Sequence, residues 1–141
     1  MVAPSGEGGQ RAMEIALSTQ PKDLKVSYIN AHGTSTPIGD VGEVKAVRRV
    51  FGEGNTPPIS STKSMTGHSQ GAAGAQEAIY SLLMLDNDFI CPSINIEKLD
   101  SDIEPSEIAT TLVENAGLTS VMTNSFGFGG TNGSIILSKI N

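Results

Sequence analysis

Val26-Ser27-Tyr28-Ile29-Asn30-Ala31-His32-Gly33 is the stretch from which the fold can be read. Its first five residues are β-rich and end close to a glycine, so a strand over 26–30 delivers His32 into the loop beyond it. Upstream, Met13, Ile15, Ala16 and Leu17 recur at helical spacing within 7–18, with Ser5 or Gly6 near the start of that helix. Downstream, Asp40 and Glu43 form an acidic capping box, and Val41, Val44, Val47 and Val50 mark one face of a helix running through Phe51. Capping accounts for both carboxylates, which therefore stay outside the catalytic set. The same order then repeats. After the turn at 52–58, Ile59-Ser60-Ser61-Thr62 is extended and delivers Lys63 and His68 in a loop, and 69–85 reads as a long, buried helix. Small residues crowd its start (Gly71, Ala72, Ala73, Gly74, Ala75), which implies close packing, and Glu77 inside it needs a partner. Residues 95–118 read as connection plus one short strand. Two strand-like runs, 120–125 and 133–138, flank a glycine-rich loop as a hairpin or as neighbours. Alternating strands and helices closed by two strands make an α/β domain.

At 141 residues the chain has the length of one domain, and 38% hydrophobic with 17% charged residues is a globular composition. A net charge of −6 argues against a nucleic-acid footprint, and Lys45, Arg48 and Arg49 read as a solvated helix face. The single cysteine, Cys91, lies between an apolar approach and a proline and reads as a small buried filler. It suits a reducing compartment. No apolar run reaches the ~18 residues a membrane span needs, and the opening residues lack a leader's basic and apolar pattern, so the chain is expected to be soluble and cytoplasmic.

Both histidines of the chain sit in small, hydroxyl-rich settings, Asn30-Ala31-His32-Gly33-Thr34-Ser35-Thr36 and Thr62-Lys63-Ser64-Met65-Thr66-Gly67-His68. Imidazoles titrate near neutrality, and neighbouring glycines allow close approach of backbone and substrate, so catalysis is the indicated function. Lys63 can serve as a cation near His68, and Glu77 can orient it. The loop Gly127-Phe128-Gly129-Gly130 offers backbone N–H groups to an oxyanion with Phe128 as a movable cover, or else is simply a tight hairpin. Neither HExxH nor a cysteine cluster is present, so no metal or other cofactor is expected. Asn132 stands where a GxGxxG fingerprint needs glycine. No serine or cysteine has the setting of an activated nucleophile.

Three motifs taken together, His32-Gly33-Thr34-Ser35-Thr36-Pro37-Ile38-Gly39-Asp40, Thr62 to His68, and Asn124-Ser125-Phe126-Gly127-Phe128-Gly129-Gly130-Thr131-Asn132, closely resemble the β-ketoacyl-[acyl-carrier-protein] synthases. The run Gln76 to Leu85 resembles type I of that family more than type II. The resemblance covers Met1 to about Lys139 but only the C-terminal third or so of the family's proteins. It implies a thiolase-like fold of which 1–141 is most of the second half, a mixed sheet covered by helices. It also implies decarboxylative Claisen condensation of a malonyl with an acyl thioester, both carried on the phosphopantetheine of acyl carrier protein, in fatty acid biosynthesis. His32 and His68 match the histidines that bind and decarboxylate the malonyl thioester. Lys63 matches the active-site lysine, Glu77 its supporting glutamate, Phe128 the gating phenylalanine, and Thr34 and Thr36 the threonines that bond the pantetheine arm. Gly127, Gly129 and Gly130 belong to the same gate and oxyanion loop. The family's nucleophilic cysteine has no counterpart here, so the chain is expected to be truncated at its N-terminus and unable to condense anything alone. At full length a homodimer is implied. A non-catalytic interaction subunit and a stand-alone malonyl decarboxylase are the competing expectations.

Overall fold

The computed structural model describes residues 6–140. Three of its strands run parallel. β1 (Tyr28–Asn30) pairs in parallel with β2 (Ile59–Ser60) on one side and with β5 (Ser120–Phe126) on the other, and β6 (Asn132–Ser138) closes the sheet antiparallel to β5. The sheet order is β2-β1-β5-β6. Every residue of β1 is fully buried, as a central parallel strand covered on both faces must be. Because β1, β2 and β5 share one direction, the residues after Asn30, after Ser60 and after Phe126 all leave the sheet at the same edge. That topology alone brings the three quoted motifs together.

Helices cover both faces. On one, α1 (Glu7–Ser18) and α2 (Gly39–Phe51) bury Met13, Val44, Ala46 and Val47 against Ile29, Met122 and Phe126. Gly9 is required there, since a Cβ would lie 2.9 Å from the Phe126 ring. On the other face, α4 (Ala73–Asn87) packs Met84 and Leu85 on Tyr28, Val121, Leu118 and Ile90. A second small sheet pairs β3 (Phe89–Ile90) with β4 (Val113–Glu114). Among the described residues no helix is long and apolar enough to cross a membrane.

The first helix and the hairpin of β5 and β6 stand where the sequence puts them. Ser5, one of the two expected start residues of α1, lies outside the described residues, and Gly6 is the N-cap, in the left-handed region at φ 81°. Three expectations are corrected. The helix foreseen from Ser69 begins at Ala73, after a 3₁₀ turn at Gln70–Ala72, because Gln70 takes a positive φ of 54° that an α-helix cannot continue. That helix is buried on one side only, and Ile79, Leu82 and Leu83 are about half exposed. Arg48 is not a solvated cation: its Nε and Nη2 donate to the two carboxylate oxygens of Glu107, each at 2.7 Å, and Nη2 also reaches the Asp102 carbonyl. The planar fork ties α2 to the segment after Asp100.

Candidate active site

His32 leaves β1 with its own N–H and that of Gly33 pointing into the protein, and a buried acceptor meets both. The Glu43 carboxylate takes the His32 N–H on Oε1 and the Gly33 N–H on Oε2, each at 2.9 Å. This corrects the capping box. The N-cap of α2 is Ile38, without a side-chain bond, and Asp40 accepts from the Ser35 N–H at 3.0 Å. Glu43 shares the inward helical phase of Val44 and Val47, so its carboxylate is carried under the sheet edge where two loop amides need a partner. Burial pushes its carboxyl up, against the opposing pull of the bonds from Gly33, His32 and Asn124. Asn124, fully buried in β5, donates to Glu43 at 3.4 Å and accepts from the Ser134 hydroxyl at 2.8 Å.

On the far side, the Ser61 hydroxyl donates to the Gly33 carbonyl at 2.8 Å. Gly33 lies at φ 37°, and a Cβ there would meet the Ser61 Cβ at 2.7 Å, so glycine is needed for both space and conformation. The imidazole itself is less constrained. Its Nδ1 is buried without a hydrogen-bond partner among the described residues, and its ring contacts His68, edge-on at a centroid distance of 5.5 Å, and Phe126 at 6.0 Å. Backbone clamping by Glu43 and Ser61 therefore does most to place His32.

His68 is exposed and held differently. The Gln70 N–H donates to its Nδ1 at 3.2 Å, which leaves the proton of the neutral ring on Nε2. Under the pair lies the ion pair of Lys63, first residue of the short helix α3 (Lys63–Thr66), and Glu77 on α4, with Nζ at 2.8 Å from Oε1 and 2.7 Å from Oε2. Both side chains are nearly inaccessible, at 4% and 3%. Burial raises the Glu77 carboxyl above its ordinary value even against the Lys63 ammonium. Burial first, then the charges of Lys63 and His68, lower the His32 pKa to about 4.

A cavity of about 570 Å³ is lined by His32, His68, Thr34, Thr36, Gly127 and Phe128, together with Gln70, Ser125 and Thr131. Gly129 and Gly130 face a neighbouring cavity instead, and Lys63 and Glu77 lie outside the lining. Phe128 is 79% exposed on a turn whose Gly129 and Gly130 have φ near 72° and 79°. Cys91 is elsewhere, half-buried in an apolar cavity with Met65, Tyr80, Leu83 and Phe89, its thiol pushed up by burial. No group of three or more metal-ligating side chains occurs among the described residues. Sequence reading missed Glu43, Asn124, Ser61 and Gln70. The signal for the first two was present: an acid in the apolar phase of α2, and an asparagine between Met122 and Phe126 on the inward side of β5.

The His32 resonances are expected to titrate with a midpoint near 4 by NMR, well below an ordinary histidine. The folded pKa lies below the unfolded one, so the unfolded chain binds more protons in between. His32 thus contributes stability that is whole above about 6.5 and is lost as pH falls toward 4. A midpoint at 6 or higher contradicts the burial described.

The sequence profile of the beta-ketoacyl synthase C-terminal domain matches residues 1–97. The chain is 63% identical over 141 residues to a Haemophilus influenzae protein named 3-oxoacyl-[acyl-carrier-protein] synthase 1, covering 100% of this chain and 34% of the relative. It is 56% identical over 140 residues to the Escherichia coli K12 protein of the same name, covering 99% and 34%. The chain thus spans about a third of the length of these curated relatives. Among solved structures, a beta-ketoacyl synthase from Burkholderia phymatum superposes with a TM-score of 0.90 at 37% identity, over 100% of this chain and 34% of that one. A type II polyketide ketosynthase solved in complex with its acyl-carrier protein superposes with a TM-score of 0.88 at 32% identity, over 96% and 34%.

Proposed function

The chain belongs to the beta-ketoacyl synthase C-terminal domain family, and on that premise we propose that its histidine pair binds and decarboxylates a malonyl thioester presented by acyl carrier protein. The observation that carries this is the two imidazoles at 5.5 Å in one cavity, each held by a different loop at the same sheet edge. The malonyl thioester carbonyl lies between them. The bond from the α-carbon to the carboxylate breaks, carbon dioxide leaves, and the electron pair passes into the thioester as an enolate whose oxygen accepts a hydrogen bond from His68 Nε2–H; without an acyl thioester to attack, the enolate carbon takes a proton from water and an acetyl thioester remains. His32, neutral at pH 7, completes the site without adding a charge. Thr34 and Thr36 bond the pantetheine arm, Lys63 and Glu77 form a buried ion pair outside the cavity whose lysine charge helps keep His32 neutral, and Phe128 with Gly127, Gly129 and Gly130 covers the entrance.

In the complete reaction the enolate carbon attacks an acyl thioester held on a cysteine, and the product is a 3-oxoacyl chain on carrier protein, a step of fatty acid synthesis. Cys91 is not that nucleophile: it shares no cavity with the histidines, and burial raises its thiol pKa. We assign the nucleophile to residues outside this sequence, which is then the C-terminal, decarboxylating portion of a synthase. The named relatives and the ketosynthase complexed with acyl-carrier protein support the carrier protein as partner. A homodimer at the relatives' length follows from the resemblance alone. A cytoplasmic setting fits the single unpaired thiol.

The 141-residue chain incubated with malonyl-acyl carrier protein is expected to release carbon dioxide and to form neither a thioester on Cys91 nor a 3-oxoacyl product. His68→Ala should lower the release roughly 10²-fold, while Cys91→Ser leaves it unchanged. Release that survives His68→Ala and disappears in Cys91→Ser refutes the assignment.

A further inference from the structure

Gln70 lines the histidine cavity, and while its N–H holds the His68 ring, its side chain has no part in the roles above. It follows His68 by two positions, its backbone lies in the left-handed region at φ 54°, and its N–H is engaged by the His68 ring, so its Cα is fixed beside that imidazole. Gln70 is exposed and lines the cavity, and its side-chain amide makes no hydrogen bond among the described residues. Glutamine is a poor occupant of the left-handed region, and strain of this kind at a cavity wall points to function.

The charges around the cavity say what that amide is suited to. No lysine or arginine among the described residues lines it. The Lys63 ammonium, whose charge acts on His32, is taken up by Glu77 at 2.7 Å, and His32 is neutral at pH 7 because its pKa is lowered to about 4. A malonyl group brings a carboxylate that has to be recognised and then lost. A fixed cation would bind it well but would hold the ground state down, since that charge leaves the carboxylate on the way to the transition state. A neutral amide N–H gives a directional bond to the carboxylate with far less of that penalty.

Resting on the decarboxylation reading, we propose that Gln70 determines donor specificity by hydrogen-bonding the carboxylate of the malonyl thioester. It selects dicarboxylic acyl donors over monocarboxylic ones.

The test uses the full 141-residue chain with malonyl- and acetyl-pantetheine in which the thioester sulfur is replaced by nitrogen, so that nothing turns over. Dissociation constants are read from backbone amide shifts. Gln70→Leu and Gln70→Gly are expected to lose about tenfold of the malonyl preference while acetyl binding stays within about twofold of the parent. The glycine variant removes the amide while relaxing the backbone, which separates loss of the bond from loss of the fold. Gln70→Asn, tolerant of the left-handed region, is expected to keep part of the preference. An unchanged preference in all three variants, or an equal loss for both ligands, overturns the role of Gln70 and leaves the histidine reading standing. Failure of both ligands to bind the parent chain, or binding indifferent to His68→Ala, overturns both.

Discussion

Glu77→Ala is expected to cost the fold about 3–5 kcal/mol. Lys63 and Glu77 are 8% and 3% exposed, and each is the other's charge partner in the layer between α4 and the sheet. Truncating the glutamate leaves an ammonium buried without compensation, and the attraction that offset its desolvation is gone. The double variant Lys63→Met, Glu77→Leu should recover most of the loss, because two well-packed apolar chains need no desolvation of charge. Urea unfolding of the parent and the two variants measures this directly. A loss below about 1 kcal/mol in the single variant would mean that water reaches Lys63 and that the ion pair is not dry.

Glu43→Ala is the second large effect, and it separates placement of His32 from the chemistry of its ring. The substitution strips the acceptor from the His32 N–H, the Gly33 N–H and the Asn124 amide, all on the inner side of the loop. Leaving buried donors unpaired costs about 1–3 kcal/mol for each that water cannot reach, so a loss of roughly 3 kcal/mol is expected. With Nδ1 unpartnered, the ring has little else to hold it, and magnetisation transfer between the His32 and His68 rings should disappear in the variant. Glu43→Gln, which keeps one acceptor oxygen, should retain part of both. Persistence of the ring–ring contact in Glu43→Ala would show that Ser61 and the packing on Phe126 are enough to place the histidine.

Much of the α/β plan is legible because hydrophobic periodicity governs it. Val26 to Asn30 is apolar and β-rich before a glycine, the valines of α2 recur every three residues, and the two terminal strands flank a glycine-rich loop. The gathering of His32 and His68 at one edge can be anticipated from their matching positions after successive strands. The inward turn of carboxylates cannot. Asp40 and Glu43 fit a capping pattern equally well, and only the helix phase relative to the sheet decides that Glu43 points under the His32 loop. The start of α4 escapes sequence reading for a local reason: His68 draws in the Gln70 N–H, and that bond holds Gln70 at a φ no helical propensity would suggest. Arg48 escapes it because its partner, Glu107, lies 59 residues away.

The measurement closest to the central claim is the ¹⁵N shift of the imidazole nitrogens of both histidines as the nitrogen-substituted malonyl-pantetheine is added to the chain. Joint movement of the Nε2 signals of His32 and His68, with His68 Nδ1 unchanged where Gln70 holds it, is the result expected of a carbonyl taken between the two rings. Silence at both histidines, with the perturbed amides gathered around Cys91 and Met65, would contradict it and put the thioester in the wrong cavity.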